Sequence, residues 1–317
     1  MREVEDGRSR PARPERPGGL NPPAGLALRM DQNLAEHSTH LHRGTPGMAV
    51  RETADLLIAD SGLDDDSVNF VGAARFTAAT AAARIAETIA EVEATGRPFA
   101  WRVGPTSTPA GLRVLLADAG LPATETEPAM WAPLRDTAGP GTVLADTVFP
   151  GAVPRGPVLP GTVLPGAVLP GTVLPGPGGL DIRLVGSAAE LRDWSWVLAA
   201  GSDPLGLALV EFFARTASRV LTPDCPARLL VGYSGGRPVC TAEVMLYAGV
   251  AGLYNISTLM SHQRRGFGTA ITKAALQVAR QLGADTAVLQ SSEQGEPLYR
   301  RLGFAAFGEV TEHPFPR

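Results

Sequence analysis

Gln263-Arg264-Arg265-Gly266-Phe267-Gly268-Thr269-Ala270 is the stretch on which the reading of this chain turns. Before it, residues 252–260 read as a strand. After it, residues 266–282 read as an amphipathic helix. Ile271, Ala275, Val278 and Leu282 recur at spacings of four, three and four, while Lys273, Gln277 and Arg280 fall on the other side. Gly283 is a natural stop. The first turn of a helix carries free N–H groups and a positive dipole end. Glycines at 266 and 268 let those amides approach phosphate oxygens with no Cβ in the way, and Arg264 and Arg265 add charge at the rim. The third glycine of a dinucleotide fingerprint and the Gly-Lys-Ser/Thr of a nucleotide P-loop are both missing. Taken alone, the segment fits either an anion site or a tight strand–helix turn with solvated arginines.

The elements around it form an ordered series. Residues 181–185 read as a strand. Ser187, with Glu190 three residues on, opens a helix in the manner of a capping box. Residues 207–220 form a second helix. Residues 228–233 and 238–247 flank Ser234-Gly235-Gly236, a hairpin signal. In the second of these strands Cys240, Ala242, Val244 and Leu246 share one face, and Thr241, Glu243, Met245 and Tyr247 share the other. Residues 286–290 are a strand, 295–302 a short helix and 304–311 a last strand. The order is β-α-α-β-β-β-α-β-α-β.

That order, the string Q-R-R-G-F-G and the downstream Leu298-Tyr299-Arg300-Arg301-Leu302-Gly303-Phe304 resemble the GNAT superfamily of N-acetyltransferases over residues 180 to about 312. The resemblance implies a mixed central sheet flanked by helices and acetyl-coenzyme A (acetyl-CoA) as co-substrate. It implies that Arg264, Arg265, Gly266, Phe267, Gly268 and Thr269 hold the diphosphate. It also implies that Ile256, Ser257 and Thr258 end a strand splayed from its neighbour to pair with the pantetheine arm. Amides near Thr258 would steady a developing oxyanion. Tyr299 matches the tyrosine that often protonates the departing thiolate. Ser292 occupies a place where the family often has asparagine. The implied acceptor is an amine, on a small molecule or a protein. The runner-up is a coenzyme A-binding regulatory or scaffold protein without turnover. For the base, Glu243 is the one acidic residue in the middle of a strand of this unit, on the face opposite the apolar set. It acts directly or through water, or else it is an ordinary exposed carboxylate. His262 beside the loop is a further candidate, against a solvated turn residue.

Residues 46–136 form a smaller α/β unit. A helical rhythm runs over 50–61, a strand over 68–76 and a helix over 77–95 through Ile85, Ile89 and Val92. A strand follows over 99–103, a helix over 109–119 and a strand over 129–134. The run resembles the second half of a GNAT fold, but Gly72-Ala73-Ala74-Arg75-Phe76 precedes its long helix with no Gly-x-Gly. Cβ atoms at 73 and 74 obstruct a phosphate, so the resemblance implies a degenerate, non-catalytic partner domain. An unrelated α/β domain is the alternative.

The flanking segments are different in kind. Between Gly141 and Pro175 the chain divides into seven pentads of the type Gly-Thr-Val-Leu-Pro. A period of five fits neither helix nor strand, so 137–179 reads as a Pro/Gly/Val-rich linker. Residues 1–45, proline-rich with little periodicity, read as a disordered tail. Its His37, His40 and His42 are there either as a metal clip or by chance, and no metal site is expected. Altogether 36 Gly and 28 Pro leave less than the full 317 residues for cores. The 28 basic and 32 acidic residues give a net charge of −4, which argues against a broad nucleic-acid footprint. Lys273 is the only lysine, a skew read as codon composition. Cys225 and Cys240 are too few for a disulfide framework. The absence of an apolar run of about 18 residues and of a leading apolar segment points to a cytoplasmic protein away from membranes.

Overall fold

The computed structural model describes residues 21–134, 173–201 and 205–316. Twelve strands among them join in one sheet of order β1-β2-β3-β4-β12-β5-β11-β10-β9-β8-β7-β6. The C-terminal half supplies β7 (Leu180–Leu184), α4 (Ala188–Ala199), α5 (Leu207–Val220), β8 (Ala227–Ser234), β9 (Arg237–Tyr247) and β10 (Val250–Thr258). It continues with α6 (Phe267–Gln281), β11 (Thr286–Gln290), α7 (Glu296–Arg301) and β12 (Ala305–Pro314). This is the order expected. A variant of the capping box forms: Ser187 Oγ accepts from the Glu190 amide at 3.3 Å, and Glu190 Oε2 accepts from the amide of Gly186, one residue before the N-cap, at 3.0 Å.

The N-terminal half supplies β1 (Ala49–Glu52), β2 (Leu57–Asp60), β3 (Phe70–Gly72), α2 (Ala81–Glu93), β4 (Ala100–Val103), α3 (Leu112–Asp118) and β5 (Glu125–Pro133). One motif therefore occurs twice. Parallel strands β3 and β4 straddle α2, as parallel β10 and β11 straddle α6. The helix expected over 50–61 is instead the β1–β2 hairpin. The Thr53 amide donates to Leu56 O at 2.9 Å and Thr53 Oγ1 donates to Asp55 Oδ1 at 2.8 Å, so the chain reverses there. The buried run Leu57-Ile58-Ala59 then lies between two neighbouring strands.

The two halves interlock through their last strands. β5 lies between β11 and β12, and β12 lies between β4 and β5, all antiparallel. Residues 46–134 and 180–316 thus share one sheet, each completed by a strand of the other.

Residues 26–37, expected within a disordered tail, form helix α1 (Leu26–His37). Proline enrichment stops at Pro23, and from Leu26 a one-sided pattern buries Leu26, Met30 and Asn33. The helix covers the seam: Leu26 and Met30 pack with Ala129 and Trp131 of β5, Val250 of β10, Val288 of β11 and Val310 of β12. Asn33 Nδ2 donates to Met245 O, Tyr247 O and Val250 O at 3.1, 3.0 and 3.2 Å, and its Oδ1 accepts from the Tyr254 hydroxyl at 2.8 Å. On the same helix Asp31 Oδ2 accepts from the Thr106 amide at 2.8 Å, in the other half. His40 and His42 are buried, not solvated; His42 Nε2 lies 2.9 Å from Val68 O. Among the described residues no group of His, Cys, Asp or Glu is arranged to hold a metal ion.

Of the pentad stretch, residues 141–172 lie outside the described residues. The final Val173–Pro175 forms edge strand β6, antiparallel to β7. No helix among the described residues is long and apolar enough to cross a membrane.

Asn33→Ala leaves buried carbonyls and the Tyr254 hydroxyl without their partner. It should lower unfolding free energy by about 2–4 kcal/mol in urea titration, whereas Gln32→Ala on the same helix should change it little.

Candidate active site

Strands β10 and β11 pair only at Ala251–Ala287 and Gly252–Val288 and then part. The divergence has a local cause. The β9–β10 register shifts between Tyr254 and Ser257, and Asn255 takes a positive φ of 52°. Two side chains of β9 hold this bulge. Thr241 Oγ1 donates to Asn255 O at 2.8 Å, and Asn255 Nδ2 donates to Glu243 Oε2 at 2.7 Å. Beyond Gly252 the β10 backbone has no ladder partner on β11, the kind of open edge to which an extended ligand can pair.

The gap leads at one end to the start of α6. Gly266 is its N-cap, with φ of 83° and open space where a Cβ would stand. No side chain caps the helix, and the amides of residues 264–269 donate to no acceptor among the described residues. Residues Arg264, Arg265 and Gly266 are exposed and Phe267 is buried, anchoring the turn. A Cβ on Gly268 would lie 3.5 Å from Thr258 Oγ1 and 3.7 Å from Leu298 Cδ1, so strand end, loop and α7 converge there. The exposed Arg265 donates to Ser261 O at 3.1 Å. His262 lies with its ring centroid 6.3 Å from that of Phe267 and its Nδ1 2.9 Å from Ser261 Oγ, a packing position on the loop.

At the other end is a cavity of about 310 Å³. Ile256, Ser292 and Tyr299 line it, together with Asn255, His37, Arg102, Glu125, Glu127, Gln290 and Glu312. Tyr299 is mostly buried, its ring 5.9 Å from Phe304 and close against Gly295, where a Cβ would stand 2.9 Å from the tyrosine ring. Its hydroxyl has no hydrogen-bond partner among the described residues. Burial, and then the negative charge of Glu127, push the phenol up to about 12. Ser292 Oγ accepts from the Gly295 amide at 3.3 Å, which leaves its own proton for a ligand.

Glu243 is placed differently from the expectation of an exposed strand carboxylate. It is 2% exposed and does not line the cavity. Both faces of β9 are covered: Val244 packs toward α6, while Met245 packs with α4 and α5. Burial raises the Glu243 carboxyl, but His37, His40 and Asn255 outweigh it and hold it below the usual carboxylate range. His37 Nε2 lies 3.5 Å from Glu243 Oε2, and its ring stacks on Tyr254 at 3.8 Å. Glu243 thus reaches the cavity only through Asn255 and His37.

Residues 190–304 match the model of the Acetyltransferase (GNAT) family. They form a GNAT acetyltransferase domain. The fold of nearly the whole chain is shared with a GCN5-related N-acetyltransferase from Kribbella flavida, at 17% identity and a TM-score of 0.60 over 93% of this chain and 97% of that one. It is shared likewise with a GCN5-related N-acetyltransferase from Sphaerobacter thermophilus, at 15% identity and TM-score 0.51 over 92% and 90% of the two chains. A tandem GNAT protein from the clavulanic acid biosynthesis pathway aligns at 12% identity and TM-score 0.51 over 93% and 96%. At these identities the likeness concerns the fold. No curated protein matches the chain.

The GNAT domain's cavity includes residues that sequence reasoning passed over. Asn255 carried no signal apart from its place on the strand. His37 lay in a segment read as a tail. Glu125 and Glu127 share a face in Thr124-Glu125-Thr126-Glu127-Pro128, but the expected strand began only at 129. Among the described residues the Glu127 side chain makes no hydrogen bond or ion pair. Burial, then the charge of Glu125, with Arg102 opposing and Glu312 adding, raises its carboxyl to about 7.

A carboxyl raised in the folded state binds a proton there that the unfolded chain has already released. Stability from this group therefore falls as pH rises from about 4.5 to about 7 and is level above. Glu127→Gln removes that fall. Relative to wild type it should gain about 1–2 kcal/mol at pH 8, discounted for partial solvent screening, and much less at pH 4.5, measured by denaturant unfolding at both values.

Proposed function

We propose that this protein is an N-acyltransferase that moves an acetyl group from acetyl-CoA to a primary amine by direct attack on the thioester, in the cytoplasm. What supports the reading is the combination of uncapped amides at Gly266, a parted strand pair whose Ile256 lines the cavity, and Tyr299 in that same cavity. Acetyl-CoA supplies the acetyl group as a thioester. The chain's fit to it rests on the free amides of residues 264–269, with Arg264 and Arg265 beside them, as a diphosphate cradle. The open edge at Ile256, Ser257 and Thr258 suits the two amides of a pantetheine arm. On this reading an amide of the stretch would donate to the carbonyl oxygen as negative charge grows on it. Ser292 offers a hydroxyl beside the same channel.

Tyr299 holds a proton at its hydroxyl for the leaving sulfur. Burial keeps the phenol protonated throughout the neutral range, so it serves as an acid and not as a base. Glu243 acts by positioning: it pins Asn255, and the bulge at Asn255 parts β10 from β11. The buried free thiols of Cys225 and Cys240 suit a reducing compartment. The acceptor is an amine on a small molecule or a protein.

Thiol release from acetyl-CoA with a panel of amines tests the reading. Tyr299→Phe should lower kcat about 10- to 100-fold with acetyl-CoA affinity within twofold of wild type by calorimetry. Binding without turnover on a broad panel would instead favour a coenzyme A-dependent regulator. Gly268→Asp should weaken acetyl-CoA binding by at least about 100-fold with an unchanged melting temperature. Its Cβ meets only ordinary contacts, so the defect is the carboxylate facing the phosphates.

A further inference from the structure

The wall of the cavity opposite the GNAT bulge belongs to the interlocking strands, and its three carboxylates are not equivalent. Glu312 of β12 accepts from Arg102 Nε at 3.1 Å and is neutralised by it. Glu125 of β5 is open to solvent. Glu127, two residues along β5, is half-buried, lines the same cavity as Tyr299 and has no hydrogen-bond partner among the described residues. A carboxylate in that state keeps its lone pairs for whatever enters.

An alkylamine reaches neutral water as an ammonium and is not a nucleophile until it loses a proton. Resting on the acyl-transfer reading above, we propose that Glu127, supplied by the half without the phosphate loop, is the general base that deprotonates an alkylammonium acceptor in this cavity. One Glu127 oxygen takes a proton from the ammonium. The freed nitrogen lone pair forms the N–C bond as the C–S bond breaks and its electron pair leaves on sulfur. Sulfur takes the Tyr299 proton. A second proton from the same nitrogen restores the Tyr299 hydroxyl, and Glu127 returns its proton to water.

The electrostatics are consistent with this assignment. Facing Glu127 are Glu125 from its own strand, Arg102 from β4, Glu312 from β12 and Tyr299 from α7. Their balance with burial leaves its carboxyl close to neutrality, where a base is most effective. The coupling to Tyr299 also runs in a useful direction. The charge on Glu127 helps hold the phenolic proton in place. Protonating Glu127 removes that charge, so the first proton transfer eases the second.

The test compares wild type, Glu127→Gln, Glu127→Asp and His37→Gln in acetyl-CoA calorimetry and in the pH profile of kcat/KM. The acceptors are ethylamine, 1,4-diaminobutane and lysine methyl ester. Glu127→Gln should bind acetyl-CoA within twofold of wild type and lose at least about 100-fold in kcat/KM. The wild-type acid limb near 7 should be absent from it, and Glu127→Asp should restore part of the rate. A carboxyl resonance titrating near 7 in ¹³C-glutamate spectra should vanish in the same variant, with no turnover needed to see it. Turnover by Glu127→Gln within threefold of wild type, or loss of the limb in His37→Gln but not in Glu127→Gln, overturns the assignment while leaving acyl transfer intact. No thiol release by wild type with these acceptors or across the broad amine panel refutes both together.

Discussion

The pairing of β5 into the gap between β11 and β12 is the constraint on which the remaining architecture rests. It seats Ala129 against Gln290 on one side and Gly308 on the other. It aligns the two halves in one register and places Glu127 and Glu125 in the lining of the cavity that Tyr299 shares. Side-chain alternation makes that register hard to slip, because a one-residue shift would turn Trp131 and Ala129 away from the core under α1. Helix α1 then fixes the junction from above, with Asn33 bound to the C-terminal half and Asp31 to the N-terminal half.

The site follows from a second constraint, the local failure of β10 to stay paired. A strand that continued its ladder with β11 would have no free edge. The bulge at Asn255 interrupts it, and the buried Glu243 and Thr241 maintain that interruption with hydrogen bonds instead of bulk. A carboxylate so enclosed is costly unless fully partnered. Its partners here, Asn255 and His37, are themselves at the cavity wall, so the polar investment in the core is made where it shapes the opening.

Much of the C-terminal half was legible because its signals are local. The capping box at Ser187 and Glu190, the Ser234-Gly235-Gly236 turn and the stripe from Ile271 to Leu282 each depend on neighbours a few residues away, and each sits where expected. The turn into α6 at Gly266 and the short helix carrying Tyr299 were legible as elements through spacing and resemblance. The misreadings share a cause in non-local packing. Glu243 looked exposed because alternation reveals one buried face and says nothing of what covers the other. Helix α1 looked disordered because its buried face carries Asn33 and His37, polar residues satisfied only by partners more than two hundred residues away. The Thr53 reversal hid behind a chance helical rhythm. The placement of Glu127 in the cavity had no sequence signal, since nothing near position 127 indicates which half its strand completes.

The interlocking also bears on how the chain reaches this state during synthesis. Ala129 leaves the ribosome long before Gln290, and Trp131 before Ala305, their respective neighbours in the sheet. The N-terminal half must therefore emerge with β4 and β5 lacking the strand that belongs between them, presenting open edges until β12 arrives. Contacts of such high order form slowly and leave aggregation-prone edges uncovered meanwhile. Cotranslational assembly of the first half as a finished unit is thus precluded, because its sheet is closed only by a strand made after both β4 and β5.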